Sequence, residues 1–248
     1  MSTDPPSTEA APARFRDDVT VDLVKHSASD SDVLWAARVS TAGEQSLEEL
    51  AKDPDRSKGL INYLIRDRHG SPFEHNSMTF FISAPIFVFR EFMRHRAGWS
   101  YNEESGRYRE LQPVFYLPGA DRKLVQQGRP GKYEFVQGRE EQRTAALAVM
   151  AESYQQAYAA YQELLAAGVA REVARSTLPV GLFSSMYATC NARSLMHFLG
   201  LRTQHELARV PSFPQREIEM VGELMEAEWA KLMPLTHAAF NANGRIAP

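Results

Sequence analysis

The sequence predicts an α+β fold: a helix-rich single domain around a central, mostly antiparallel sheet. Three observations carry this. Apolar residues recur at helical spacing through most of the chain, while the runs that alternate at period two lie between helices, with no βαβ series. No Pro/Gly/Ser-rich linker divides the 248 residues, so one domain over 16–248 is expected. Residues 1–15, rich in Pro, Ser, Thr and Ala without apolar periodicity, read as a disordered tail.

In chain order, "VTVDLV" (19–24) alternates and is β-branched, which predicts a strand. "SDSDVLWAARVS" (29–40) supplies Ser and Asp caps before a helical run, and "SKGLINYLIRDRH" (57–69) places Leu60, Ile61, Leu64 and Ile65 on one helix face. "SPFEHNSMTFFISAPI" (71–86) opens as a turn and becomes a strand on the alternation of Met78, Phe80 and Ile82. A short helix is expected at 87–96, and an irregular exposed connector at 119–140. A long helix should span 139–167 and stop at Gly168, with another at 169–179 ended by Pro179. A strand at 181–190 leads to a helix at 191–201 capped by Asn191, and a last helix is expected at 214–233.

A formal charge of −3 argues against a general nucleic-acid or membrane-surface binder, so any basic site must be local. No apolar run reaches the roughly 18–20 residues of a membrane span, and the first residues lack a signal-peptide core. With the single cysteine Cys190, these features predict a cytoplasmic protein without disulfides. Neither a dinucleotide-binding glycine fingerprint, a P-loop nor a G-x-S-x-G elbow is present.

The 28 basic residues comprise 22 Arg and 6 Lys, and their clustering is more informative than their number. "RHRAGWSYNEESGRYR" (94–109) places Arg94 and Arg96 before, and Arg107 and Arg109 after, a run of Ser, Asn and Glu. Guanidinium forks bind phosphate bidentately while Ser, Asn and backbone amides position a ring, so this stretch suits a phosphorylated heterocyclic ligand. Arg94 and Arg96 also fit a helix C-terminus, where cations offset the macrodipole. A second cluster contains Arg171, Arg175, Arg193, His197 and Arg202. In "RHGSPFEH" (68–75), His69 and His75 match no common zinc spacing, and Ser71 with Glu74 reads as a capping box; no metal is expected.

Taken together, "AARVS" (36–40), "SPFEH" (71–75), "PIFVFREFMRHR" (85–96), Ser105-Gly106-Arg107-Tyr108, "REVAR" (171–175) and "NARSLMHFLGLR" (191–202) resemble the flavin-dependent thymidylate synthases. Their signature is RHR, a spacer, and Ser-x-Arg-Tyr. Here the spacer, 97–104, is eight residues, one more than usual, which predicts a bulge at "AGW". The stretch "HELARVPSFPQRE" (205–217) is also longer than expected, so His205 is given no role.

The resemblance implies a homotetramer that binds FAD and methylates dUMP at uracil C5, using methylenetetrahydrofolate and NADPH. It implies nucleotide binding by Glu91, Arg94, Glu103, Ser105, Gly106, Arg107, Arg175 and Arg202, with Arg202 and Arg107 catalytic and Glu91 standing where relatives often have Gln. FAD would be held by Ser40, Ser71, Glu74, His95, Arg96, Asn102, Glu103, Asn191, Arg193, His197 and Leu201, with His69 and Tyr108 toward the folate. Ser105 has no neighbouring base in sequence and is assigned to binding, while Cys190 lies outside the signature. A UMP or dual UMP/dUMP methylase and a non-catalytic phosphate- or RNA-binding module are the alternatives.

Overall fold

The computed structural model describes residues 12–43, 54–129 and 132–248. Its elements run β1 (Arg14–Arg16), β2 (Thr20–Ser27), α1 (Asp30–Ala42), α2 (Pro54–Arg66), a 3-10 turn (Ser71–Glu74), β3 (Ser77–Pro85) and α3 (Ile86–Phe92). They continue through β4 (Trp99–Glu103), β5 (Val114–Tyr116), β6 (Val125–Arg129), β7 (Lys132–Val136), α4 (Glu140–Ala166), α5 (Arg171–Ala174) and a second 3-10 turn (Arg175–Thr177). The last are β8 (Phe183–Cys190), α6 (Ala192–Arg202), α7 (Arg216–Leu232) and α8 (Pro234–Ala242). This is the expected α+β class.

The chain folds as two compact units, each assembled from several stretches. The larger comprises Val19–Ser83, Val88–Glu103 and Ser185–Pro248. Its sheet has the order β2-β3-β8-β4, with β2 antiparallel to β3 and β4 antiparallel to β8. β3 shows why the sheet forms: Met78, Phe80 and Ile82 are fully buried, with less buried neighbours between them. Helix α7 packs on β2, α6 and α8, and Trp229, Phe240, Phe198 and Phe92 lie inside. Each such ring removed from water contributes about 1.5–3 kcal/mol.

The smaller unit joins the stretch ending at Asp18 with Ala84–Phe87 and Glu104–Ser184. Its core gathers Leu111, Phe115, Tyr158, Tyr161, Ala174 and Leu182. Two tyrosines satisfy the buried backbone of Leu111: Tyr158 donates to its carbonyl (3.1 Å) and Leu111 N–H donates to Tyr161 (3.4 Å).

Several expected elements differ. Of the anticipated tail, residues 1–11 lie outside the described residues, whereas Arg14 and Phe15 belong to β1, which runs parallel to β5. The helix expected at 87–96 ends at Phe92, so Arg94, His95 and Arg96 follow it in turns closed by Arg94 N–H to Glu91 O (3.2 Å) and His95 N–H to Phe92 O (2.8 Å). The stretch 99–103 is a strand. The connector at 119–140 contains the antiparallel pair β6–β7, and residues 130–131 between them lie outside the described residues. The helix expected at 169–179 is reduced to α5 and a 3-10 turn, because the Ser176 and Thr177 hydroxyls bond back to Val173 O (2.7 Å) and Ala174 O (2.9 Å).

Candidate functional site

Some of the expected site residues gather into three groups. In the larger unit, Glu91 from α3, His95 from the turn after it and Arg202 from the end of α6 converge. Arg202 Nη1 donates to Glu91 Oε2 in a close ion pair, its Nε donates to His95 Nε2 (3.1 Å), and its Nη2 reaches the Glu91 carbonyl (3.5 Å). Both charged side chains are largely buried, at 16% and 22% exposed. Because His95 Nε2 accepts, the imidazole is neutral, with its proton on Nδ1. Burial first, and then the charges of Arg202 and His197, hold the His95 pKa at about 4. Burial raises the Glu91 carboxyl above the usual range, partly offset by Arg202. Glu91 Oε1 is buried and has no hydrogen-bond partner among the described residues.

Aromatic packing fixes this group. The His95 ring meets Phe198 edge-on (4.9 Å), Trp99 stacks on Tyr101 (5.7 Å), and the Tyr101 hydroxyl donates to His95 O (2.8 Å) and Phe92 O (3.1 Å). The turn carrying the extra spacer residue places Gly98 at φ +69°, where a Cβ would lie 2.2 Å from Ser194 Oγ. That hydroxyl donates to Ala97 O (2.9 Å), so the turn at Ala97 and Gly98 docks on the first turn of α6.

The second group, also in the larger unit, surrounds Arg193. Its Nη1 pairs with Glu74 (2.5 Å) and its Nε donates to Pro248 O (2.6 Å). The guanidinium covers Gly70, where a Cβ would lie 2.5 Å from Arg193 Cζ. The His197 pKa is lowered by desolvation first, then by the charges of Arg193 and Arg68. One guanidinium pairs with Glu74, and a second acts with it on the His197 imidazole, an arrangement suited to an anionic ligand. Glu74 pairs with Arg193 instead of closing the capping box expected with Ser71, and the 3-10 turn has no side-chain cap.

In the smaller unit, Ser105, Gly106, Arg107 and Arg175 meet. Arg107 N–H donates to Ser105 Oγ (3.3 Å), and Tyr108 and Arg109 N–H both reach Ser105 O (3.1 and 3.3 Å). The turn packs closely: a Cβ on Gly106 would lie 2.8 Å from Leu111 Cδ1 and 3.2 Å from Arg175 Cδ. Arg107 Nε pairs with Glu172 (3.0 Å), with both side chains about half exposed, a contact of little energetic weight that a stronger acceptor can displace.

Other expected residues stand apart. Arg94, Arg96, Asn102 and Glu103 are exposed, as are Ser71 and Leu201. The Ser40 hydroxyl turns back to Ala37 O (3.2 Å), and Asn191 Oδ1 accepts from Ser194 N–H (2.9 Å) as the cap of α6. His69 packs on Tyr63 and His75 on Trp35, while Tyr108 is 77% exposed. Sequence reasoning missed Arg68, Gly70, Glu172 and Ser194. Only Gly70, beside the Ser-Pro turn, carried a local signal.

The family model described as thymidylate synthase complementing protein matches residues 22–235. A flavin-dependent thymidylate synthase from Streptomyces avermitilis is 82% identical over 246 residues, covering 99% of this chain and 100% of the relative. Another from Tropheryma whipplei is 57% identical over 235 residues, covering 94% and 97%. The UMP/dUMP methylase PolB from Streptomyces cacaoi, bound with 5-Br UMP, superposes with a TM-score of 0.87 at 54% identity, covering 95% of this chain and 99% of that one. Its structure with 5-Br dUMP gives 0.88 at 55% identity, covering 95% and 100%.

Proposed function

Since this chain belongs to the flavin-dependent thymidylate synthase family and is an enzyme of it, we propose that it methylates dUMP at uracil C5 to give dTMP. In this reading the flavin is FAD, methylenetetrahydrofolate donates the carbon and NADPH supplies the reducing electrons. The observation that carries it is the largely buried Arg202–Glu91–His95 group.

Uracil C5 becomes nucleophilic only when charge building on the ring is stabilised. A guanidinium held by a carboxylate on one edge and a neutral imidazole on another is preorganised for that task. With His95 uncharged, Arg202 is the only cation of this trio, and its field is not divided with a second one. Arg107 and Arg175 offer guanidinium forks for the nucleotide phosphate, beside the Ser105 turn. Ser105 Oγ accepts a backbone N–H, and no described side chain takes its proton, which supports binding over nucleophilic attack.

Arg193, with His197 beside it, has the donors and charge that an FAD pyrophosphate requires, so the residues fit that cofactor. Bound flavin supplies hydride for reducing the transferred one-carbon unit. Glu74 and the Pro248 carbonyl orient Arg193 toward it. Ser40, Ser71, Arg96, Asn102, Glu103, Asn191 and Leu201 complete the proposed flavin site, with Arg94 on the nucleotide side and His69 and Tyr108 toward the folate. A homotetramer in the cytoplasm belongs to the same reading. No described helix is long and apolar enough to cross a membrane.

Purified protein should be yellow, and with added FAD and nucleotide it should show a spectral change or oxidise NADPH. Colourless protein that shows no spectral change with FAD, but steeply salt-dependent RNA binding, would instead support a non-catalytic module. Arg107→Ala should weaken dUMP binding about 10- to 100-fold with FAD affinity retained. Unchanged dUMP affinity would remove its assigned role.

The solved relative bound with either 5-Br UMP or 5-Br dUMP favours a second reading, in which UMP is also a substrate. A site that only tolerates an added hydroxyl discriminates by about 10²-fold. Parallel turnover measurements decide between them, and activity on UMP alone would overturn the dUMP assignment.

A further inference from the structure

We infer that the segment Arg245–Pro248 is a strap that aligns α6 and thereby sets the orientation of Arg193 in the flavin site; this rests on the functional reading above. Contacts with five residues define the strap. The Arg245 side chain, 3% exposed, donates to Glu226 through both terminal nitrogens (2.6 and 2.7 Å) and to Thr203 Oγ1 (2.9 Å), the residue after Arg202. The Arg245 carbonyl lies 2.9 Å from where a Cβ on Gly200 would stand, so a larger residue there would push the segment away. Ala247 O accepts from Arg68 Nη1 (2.9 Å), and Pro248 O accepts from Arg193 Nε (2.6 Å).

The order of these contacts gives the direction. Residue 245 meets the C-terminal turn of α6 and residue 248 meets its first turn, so the segment runs opposite to the helix. From Arg193 to Thr203 the helix rises about 15 Å, against about 10 Å for extended chain from 245 to 248. The Arg193 and Arg245 side chains close the difference. Arg193 is thereby held on Nε by Pro248, on Nη1 by Glu74 and underneath by Gly70, while its Nη2 has no partner among the described residues. That nitrogen is the edge left for an anionic acceptor.

Arg68 is a positioning residue in this scheme, acting through Ala247. It sits at φ +67°, so Arg68→Gly removes the side chain without backbone strain. The experiment measures FAD affinity by fluorescence quenching, dUMP affinity at saturating FAD, and thermal unfolding. The variants are Arg68→Gly, Arg68→Lys and a protein lacking Ala247 and Pro248. Arg68→Gly and the deletion should each weaken FAD about tenfold and change dUMP affinity less than about twofold, whereas Arg68→Lys, which keeps a donor, should recover most of the loss. Wild-type FAD affinity in the deletion protein would overturn the inference even if Arg68→Gly binds FAD poorly, because Arg68 would then be a direct ligand. Equal losses of FAD affinity, dUMP affinity and melting temperature would overturn it in favour of general stability. Wild-type protein that takes up no FAD would remove the functional reading, and this inference with it.

Discussion

Arg202 is held on two edges, by a carboxylate and by an imidazole nitrogen. Lysine can occupy only one such position, so Arg202→Lys should lower turnover by about 10²-fold in a folded protein, measured by steady-state kinetics. Its neighbour His95 has a pKa of about 4 in the folded chain, below the 6.5 of an unperturbed imidazole. The unfolded chain therefore binds the extra proton first. The stability linked to neutral His95 is complete above pH 6.5 and falls as the pH drops from 6.5 toward 4. His95→Gln should flatten the melting temperature over that window, and an unchanged slope would show that other groups titrate there. At this scale the sequence revealed residue types but not partners. Arg202 and Glu91 lie 111 positions apart, and nothing in either local stretch pairs them. Arg68 and Gly70 were missed because their roles come from contacts with residues 247 and 193, far along the chain.

Among the elements, α6 was the most legible. Asn191 sits where a cap should be, and it accepts the Ser194 amide as a cap does. Asn191→Ala should cost about 1 kcal/mol of stability in denaturant unfolding. Strand β3 was equally readable from its alternation. Strand β4 was not: Trp99 and Tyr101 alternate with Ser100 and Asn102, but five residues of mixed polarity resemble a loop until β8 supplies the ladder. The β6–β7 pair was hidden in the same way by glutamine, glycine and charge. Gly98 joins α3 to β4 at φ +69°, with Ser194 Oγ where its Cβ would be. Gly98→Ala should destabilise by about 1–3 kcal/mol. An unaltered denaturation midpoint would mean that the turn relaxes at no cost.

For the molecule as a whole, one acid-sensitive anchor stands out. Burial alone would raise the Glu226 pKa, but hydrogen bonds from Arg245 and His237 outweigh it and bring the carboxyl down to about 2, from 4.5. The stability it supplies is complete above pH 4.5 and is lost as the pH falls toward 2; at neutral pH it is on the order of 3 kcal/mol. Glu226→Gln should lower neutral stability by about that amount and shorten the acid limb of the unfolding curve. An acid limb identical to that of the wild type would rule this anchor out. The α+β class was legible at this scale because periodicity reports buried faces. The division into two units was not, because neither is continuous in sequence and no change of composition marks where the chain leaves one for the other.

The chain changes unit at 18/19, 83/84, 87/88, 103/104 and 184/185. The fourth of these points falls inside the signature stretch, between Glu103 and Glu104. RHR and Ser-x-Arg-Tyr thus cannot be transplanted as one cassette into a host that supplies only one of the two units. A single-crossover chimaera of this enzyme inherits a mixture of parents in at least one unit wherever the junction is placed. Fragment exchange between relatives should therefore give working hybrids only when the two parents already pack interchangeably.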